Sequence, residues 1–200
     1  MDVMARPTIA KLRAEAEGCQ NCALWERATQ TVFGEGPGRA RAILVGEQPG
    51  DEEDLSGRPF VGPAGRLLDQ ALVEAGLDRG QLYVTNAVKH FKWVAKGKRR
   101  LHEKPRLSEI EACHPWLEGE VAALRPSLIV CLGATAAQAV ISRAFRVTRD
   151  RGTFVDSRLG PAFATVHPSS ILRARDDVTR RAERARFVAD LRKVAERLAG

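Results

Sequence analysis

No apolar run in this 200-residue chain approaches the roughly 20 residues that a membrane-crossing helix requires. The first residues also lack the basic, then apolar, then small-residue order of a secretory leader. The expectation is therefore a cytoplasmic protein with no membrane partner, and a monomer is the default oligomeric state. Neither G-x-G-x-x-G nor the Walker pattern occurs, so the usual glycine-rich cradles for nucleotide phosphates are missing. There is no internal repeat and no low-complexity segment. What remains is an ordinary globular composition, 44% hydrophobic and 28% charged, long enough for one domain over residues 1–200.

Charge is unevenly placed. Between Lys89 and Arg106 eight lysines and arginines face Glu103 alone, a local balance of +7 that equals the net charge of the whole chain. A concentrated basic loop on a neutral body points to a polyanion, most often nucleic acid. A solvated loop with no partner is the plain alternative.

The apolar pattern alternates short runs with helical spacing. Residues 42–45, 81–86, 127–132 and 162–166 read as buried strands, and 8–17, 63–75, 108–124 and 178–198 as helices. Ser108 and Glu111 have the spacing of a capping box. The last helix carries an apolar stripe through Val188, Leu191, Val194 and Leu198, with alanines 182, 185, 189 and 195 between. Strands alternating with helices imply a three-layer α/β/α fold around a four-stranded parallel sheet covered on both faces.

The stretch from Ala42 to Gly65 organises the rest. An apolar strand stops at Gly46 and gives way to a loop with Glu47, Gln48 and Asp51 to Asp54, whose acid density would repel a pyrophosphate. It is either a solvated surface loop or a ligand loop. Gly46 and Gly50 favour the latter, since they free the backbone around Glu47 and Gln48 for close approach. The second strand ends at Asn86 and the fourth at His167. In a parallel sheet these polar ends gather along the edge where ligands bind. Cys19 and Cys22 form a C-x-x-C that suits redox chemistry, zinc or plain packing. Cys113 within a helix and Cys131 on a strand read individually as buried thiols. His90 and His114 read as structural or DNA-facing.

Gly46-Glu47-Gln48-Pro49-Gly50, Asn86 at a strand end and His167-Pro168-Ser169 together resemble the iron–sulfur uracil-DNA glycosylases. The segment Lys98-Arg99-Arg100-Leu101-His102 resembles the inserted loop of the UdgX branch, whose members become covalently attached to uracil-DNA. The resemblance implies a uracil-DNA glycosylase-like fold that takes uracil from single- or double-stranded DNA. It assigns Asn86 to the base edge, Phe60 to stacking, and His167 to the departing base with backbone amides near Gln48, Gly50 and Asp51. Glu47 faces the sugar, and Lys98, Arg99 and Arg100 take phosphates. By residue type alone His102 reads as a phosphate contact among its basic neighbours; the resemblance reverses that and makes it the nucleophile that traps the protein on the abasic site. It makes Cys19, Cys22, Cys113 and Cys131 the ligands of a structural 4Fe–4S cluster, with zinc as the alternative metal. A multiple-turnover glycosylase and a non-catalytic DNA-binding module remain the competing functions.

Overall fold

The computed structural model describes residues 7–200. In chain order its elements are α1 (Ile9–Ala16), β1 (Ala42–Gly46), α2 (Asp51–Ser56), α3 (Pro63–Glu74), β2 (Leu82–Asn86), β3 (Trp93–Lys96), β4 (Arg99–His102) and α4 (Leu107–Leu124). Then follow β5 (Leu128–Leu132), α5 (Ala134–Val140), α6 (Val147–Asp150), β6 (Phe154–Ser157), β7 (Gly160–Thr165), α7 (Pro168–Leu172) and α8 (Asp177–Ala199).

The central sheet runs β2-β1-β5-β7-β6. It is the expected α/β/α arrangement with one strand more than the sequence predicts. The fifth, β6, is an antiparallel edge strand paired with β7. It escapes sequence reading because its residues alternate exposed and half-buried, without the apolar run that marks the others. Each parallel strand sends alternate side chains to two separate cores. Leu44, Val84, Val130 and Phe163 meet α3, α7 and α8 on one face. Ile43, Tyr83, Ile129 and Ala164 meet α4 and α5 on the other. Both faces are covered, which is why these strands are apolar at nearly every position.

Local details depart from the pattern in three further places. The acidic stretch after Gly50 is the short helix α2, not a loop; its four carboxylates sit in the first turn, where a helix N-terminus favours negative charge. Helix α4 is capped two residues earlier than Ser108 implies: Glu109 accepts the Arg106 backbone N–H at 2.6 Å. The buried stripe of α8 is Phe187, Val188, Leu191 and Val194, whereas Ala182, Ala185 and Ala189 face outward.

The basic segment is not a loop but the antiparallel hairpin β3–β4, turning at Gly97 and Lys98, with Trp93 opposite His102. Gly97 adopts φ +58°, the left-handed region a tight turn needs. Two four-residue strands cannot stand alone in water. The body of the protein holds them. The Gln48 amide donates to the carbonyls of Lys92 and Glu103, each at 3.1 Å, and accepts the Lys92 N–H, also at 3.1 Å. Trp93 donates to the Arg27 carbonyl and lies under the Arg27 guanidinium. Arg100 pairs with Asp51 and with fully buried Asp54, each at 2.6 Å.

Candidate active site

Strand order reverses between β1 and β5: β2 lies on one side of β1, and β5, β7 and β6 on the other. Ligands bind at such a switch point, beyond the carboxyl ends of the strands. A cleft of about 730 Å³ opens there. Among its lining residues are Glu47, Asn86, Phe60, His102 and His167. Glu47, Asn86 and His167 come from strand ends or the residues that follow them, Phe60 from the turn between α2 and α3, and His102 from the return strand of the hairpin.

Gly46 and Asn86 end their strands in register. A Cβ at Gly46 would fall 2.4 Å from Asn86 Oδ1 and 2.6 Å from Phe60 Cζ. The amide and the aromatic ring therefore lie together over bare backbone. Phe60 sits at φ +57°, a costly conformation for a bulky side chain. A Cβ at Gly65 would fall 1.8 Å from the Phe60 carbonyl oxygen, so only glycine lets α3 pack under that turn. Glu53, buried, accepts the N–H of Gly50 and of Gly62 and thereby ties the two ends of this segment together.

His167 stacks beside Phe60, ring centroids 6.1 Å apart. Its Nδ1 accepts the Ser169 backbone N–H at 3.2 Å, with the Ser169 hydroxyl at 2.8 Å. With Nδ1 occupied as an acceptor, the proton of the neutral ring lies on Nε2. Burial holds the imidazole at about 4, against the pull of Glu47. The ring is a neutral donor at ordinary pH. Gly133, at φ +97°, leaves room for it: a Cβ there would meet His167 Cβ at 2.9 Å.

Glu47 accepts from the Thr135 hydroxyl on one carboxylate oxygen and faces His102 Nε2 at 3.1 Å on the other. Burial pushes the Glu47 carboxyl up, but the hydrogen bonds from His102 and Thr135 outweigh it and hold it below the usual carboxylate range. Glu47 is an anion next to an imidazole that is half exposed to the cleft. The one sequence signal for Thr135 is that, like Glu47, it follows a strand stopped by glycine, here Gly133.

The structure divides the remaining candidates. Lys98 and Arg99 lie at the hairpin turn without an ion-pair partner among the described residues, whereas Arg100 is committed to Asp51 and Asp54. Lys89 and Lys92 do not belong to the basic surface: both are buried, paired with Glu120 and Glu109. The Gln48 side chain is spent on the hairpin base and offers only its backbone to the cleft.

Cys19, Cys22 and Cys113 gather at one corner, below β2 and beside α4. Trp116 donates to Cys19 Sγ and the Lys89 backbone N–H to Cys113 Sγ, each at 3.2 Å. Cys22 packs with Cys113. Burial pushes the Cys113 thiol up to about 12, with the nearby Lys89 charge acting against it. Cys131 is not part of this corner. It lies in the core between the sheet and α4–α5, surrounded by Val45, Ala137 and Ala164, and burial alone raises its thiol. His90 follows Lys89, whose N–H reaches Cys113, and is tied to the same segment as Cys19. Its Nε2 meets the Thr31 hydroxyl at 3.0 Å; that hydroxyl donates to the Ala16 carbonyl, which also takes the Cys19 N–H. Because the hydroxyl hydrogen is used, Nε2 is the donor and Nδ1 keeps the lone pair, the state a metal-ligating histidine needs. Among the described residues no three of these side chains are close enough to hold a single metal ion. A cluster of several irons holds its ligands farther apart than one ion does, so three thiols and His90 suit a cluster better than zinc.

A doubly covered, mostly parallel sheet with a polar cleft at its switch point, floored by Phe60, defines an α/β protein with its candidate ligand site at the strand ends. The chain belongs to the uracil DNA glycosylase superfamily, whose sequence profile matches residues 33–192. It is 38% identical over 165 residues to the type-4 uracil-DNA glycosylase of Thermotoga maritima, covering 82% of each chain. It is 34% identical over 190 residues to that of Archaeoglobus fulgidus, covering 91% of this chain and 89% of the other. Against the type-4 enzyme of Sulfurisphaera tokodaii the identity is 38% over 137 residues, 68% of this chain and 59% of that protein. No helix among the described residues is long and apolar enough to cross a membrane.

Proposed function

We propose that this protein is a uracil-DNA glycosylase that cleaves the N-glycosidic bond of a flipped-out deoxyuridine and remains bonded to the sugar through His102. The observation that carries the reading is the pairing of His102 with Glu47 inside the cleft that also holds Asn86, Phe60 and His167. Chemistry on a base requires it to leave the stack and enter a pocket. The Asn86 amide presents a donor and an acceptor on one fork, which matches the O4 and N3–H of uracil and mismatches the reversed pattern of cytosine. Phe60 supplies a stacking face, worth roughly 1–3 kcal/mol per base.

As the C1′–N1 bond breaks, its electron pair leaves with uracil. His167, neutral and carrying its proton on Nε2, donates to the developing O2 anion, with help from backbone amides near Gln48 and Asp51, the Gly50 N–H being committed to Glu53. The sugar becomes a cation, and the Glu47 carboxylate stabilises it. With His102 Nε2 donating to Glu47, the ring's lone pair lies on Nδ1, and that nitrogen forms the new bond to C1′. The alkylated ring then carries a positive charge and gives its Nε2 proton to Glu47. No good leaving group remains, so the adduct persists. Lys98 and Arg99 neutralise phosphates of the DNA strand.

The corner of Cys19, Cys22, Cys113 and His90 is proposed to hold a 4Fe–4S cluster that serves to pin the N-terminal segment to the sheet. The test of function is a denaturing gel after mixing the protein with uracil-containing single-stranded DNA. A complex that survives boiling in detergent supports the reading. Free abasic product points to a multiple-turnover glycosylase, and unchanged DNA to a non-catalytic binding module.

A further inference from the structure

Lys89 and Glu120 form an ion pair at 2.6 Å with both side chains 0% exposed. Two opposite charges so far from water are seldom worth their desolvation for stability alone. Their partners suggest another use. Each of the three ammonium hydrogens of Lys89 has an acceptor: Glu120 at 2.6 Å, Thr85 Oγ1 at 2.6 Å and the backbone carbonyl of Asn86 at 2.8 Å. Glu120 in turn receives the Tyr83 hydroxyl, the Thr85 hydroxyl and the Gly34 N–H. The network is complete, with no polar group left over.

Its position explains the Asn86 contact. Strand β2 is an edge of the sheet, and its outward backbone groups have no neighbouring strand. At Val84 the antiparallel bridge to Glu35 fills that side. Two residues on, the outward carbonyl is that of Asn86, and Lys89 Nζ takes the place of a strand. The backbone of Lys89 is held in turn by Cys113 Sγ.

We propose that the buried Lys89–Glu120 pair is a positioning device: it fixes the Asn86 peptide so that the side-chain amide lies over Gly46 in register to read a base edge. This rests on the reading of Asn86 as the base reader. The pair acts through Asn86 and touches no substrate.

The test is a double-mutant cycle on the rate of uracil release under single-turnover conditions. Lys89→Met combined with Glu120→Gln removes both charges at near-constant volume, so no lone buried charge is left. Thr85→Val, which keeps the charges but deletes the bridging hydroxyl, is the second variant should the first not fold. Each is measured alone and with Asn86→Ala. The expected result is a loss of about 10-fold in the Asn86 protein and none beyond that already caused by Asn86→Ala, a coupling of the size neighbouring residues show. Affinity for uracil-free DNA should stay at the wild-type value. Equal losses in both backgrounds, or no loss in either variant, would overturn the proposal. Full activity in Asn86→Ala by itself would remove the base-reading assignment and the proposal with it, an outcome read directly from that single variant.

Discussion

Glu47 and His102 meet at 3.1 Å although 55 residues separate them and they lie on unrelated elements, one after a core strand and one at the end of a surface hairpin. The contact gives each residue a separable role. His102→Ser should abolish the boiling-resistant adduct while leaving uracil excision in place, because water can enter the vacated space. Glu47→Gln should slow excision and trapping together by roughly 10² or more, the scale for one such electrostatic group. A crosslink in His102→Ser would place the attacking atom elsewhere. Lys89 and His90 are then poor substitutes, since both are buried and already hydrogen-bonded.

Gly46→Ala tests the stacking of Asn86 and Phe60 over bare backbone. The new methyl would overlap both side chains, at 2.4 and 2.6 Å, while a buried strand accepts alanine without difficulty. The variant should fold, bind DNA and lose on the order of 10² in excision rate, the scale for a misplacement of about 1 Å. Wild-type excision in this variant would show that the two side chains do not read the base.

Arg99 and Arg100 are adjacent in sequence and should behave differently. Arg99→Ala should weaken DNA binding and lower its salt dependence without changing the product. Arg100→Ala removes the cation from Asp54 and loosens the hairpin that carries His102. Its adduct yield should fall by about tenfold or more even at low salt, where binding is saturated. Equal behaviour of the two variants across a salt series would refute the distinction.

The cluster assignment predicts brown protein with broad visible absorption and bound iron. Cys19→Ala, Cys113→Ala and His90→Ala should lose iron and stability, since metal binding is coupled to folding. Cys131→Ala should keep the iron, because that thiol is enclosed in the core between the sheet and α4–α5, apart from the corner. Colourless protein containing stoichiometric zinc after anaerobic purification is the contrary result.

Acid stability should follow His167. Its folded ring titrates at about 4 because of burial, against 6.5 for the free side chain. Between those values the unfolded chain binds a proton that the folded protein does not, so stability falls as pH drops through that window. The Glu47 contribution, with its carboxyl held low, is present above about 4.5 and lost only at lower pH. His167→Gln should therefore flatten the dependence of Tm on pH between 6.5 and 4. An unchanged slope in that variant, followed by calorimetry, would show that another group titrates there.

The sheet was legible because parallel strands covered on both faces must be apolar at nearly every position, a requirement written locally as runs such as Ala42 to Val45. The polar residues that stop those runs, Glu47, Asn86 and His167, were legible for the same reason. Family resemblance added His102 and Phe60. Three features escaped. The edge strand β6 and the hairpin β3–β4 have no apolar run, and the hairpin's register is set by Gln48 and Asp54, distant in sequence. Lys89 and Lys92 counted as surface charge until the fold set Glu120 and Glu109 against them. Cys131 reads by type as a buried thiol and became a ligand only through the resemblance; the fold keeps it in the core and ties His90, through Thr31, to the segment that carries Cys19. Secondary structure answers to near neighbours along the chain, so sequence alone could state it. Charge pairing, ligand sets and the exposure of a side chain answer to distance in space, and only the packed tertiary structure decided them.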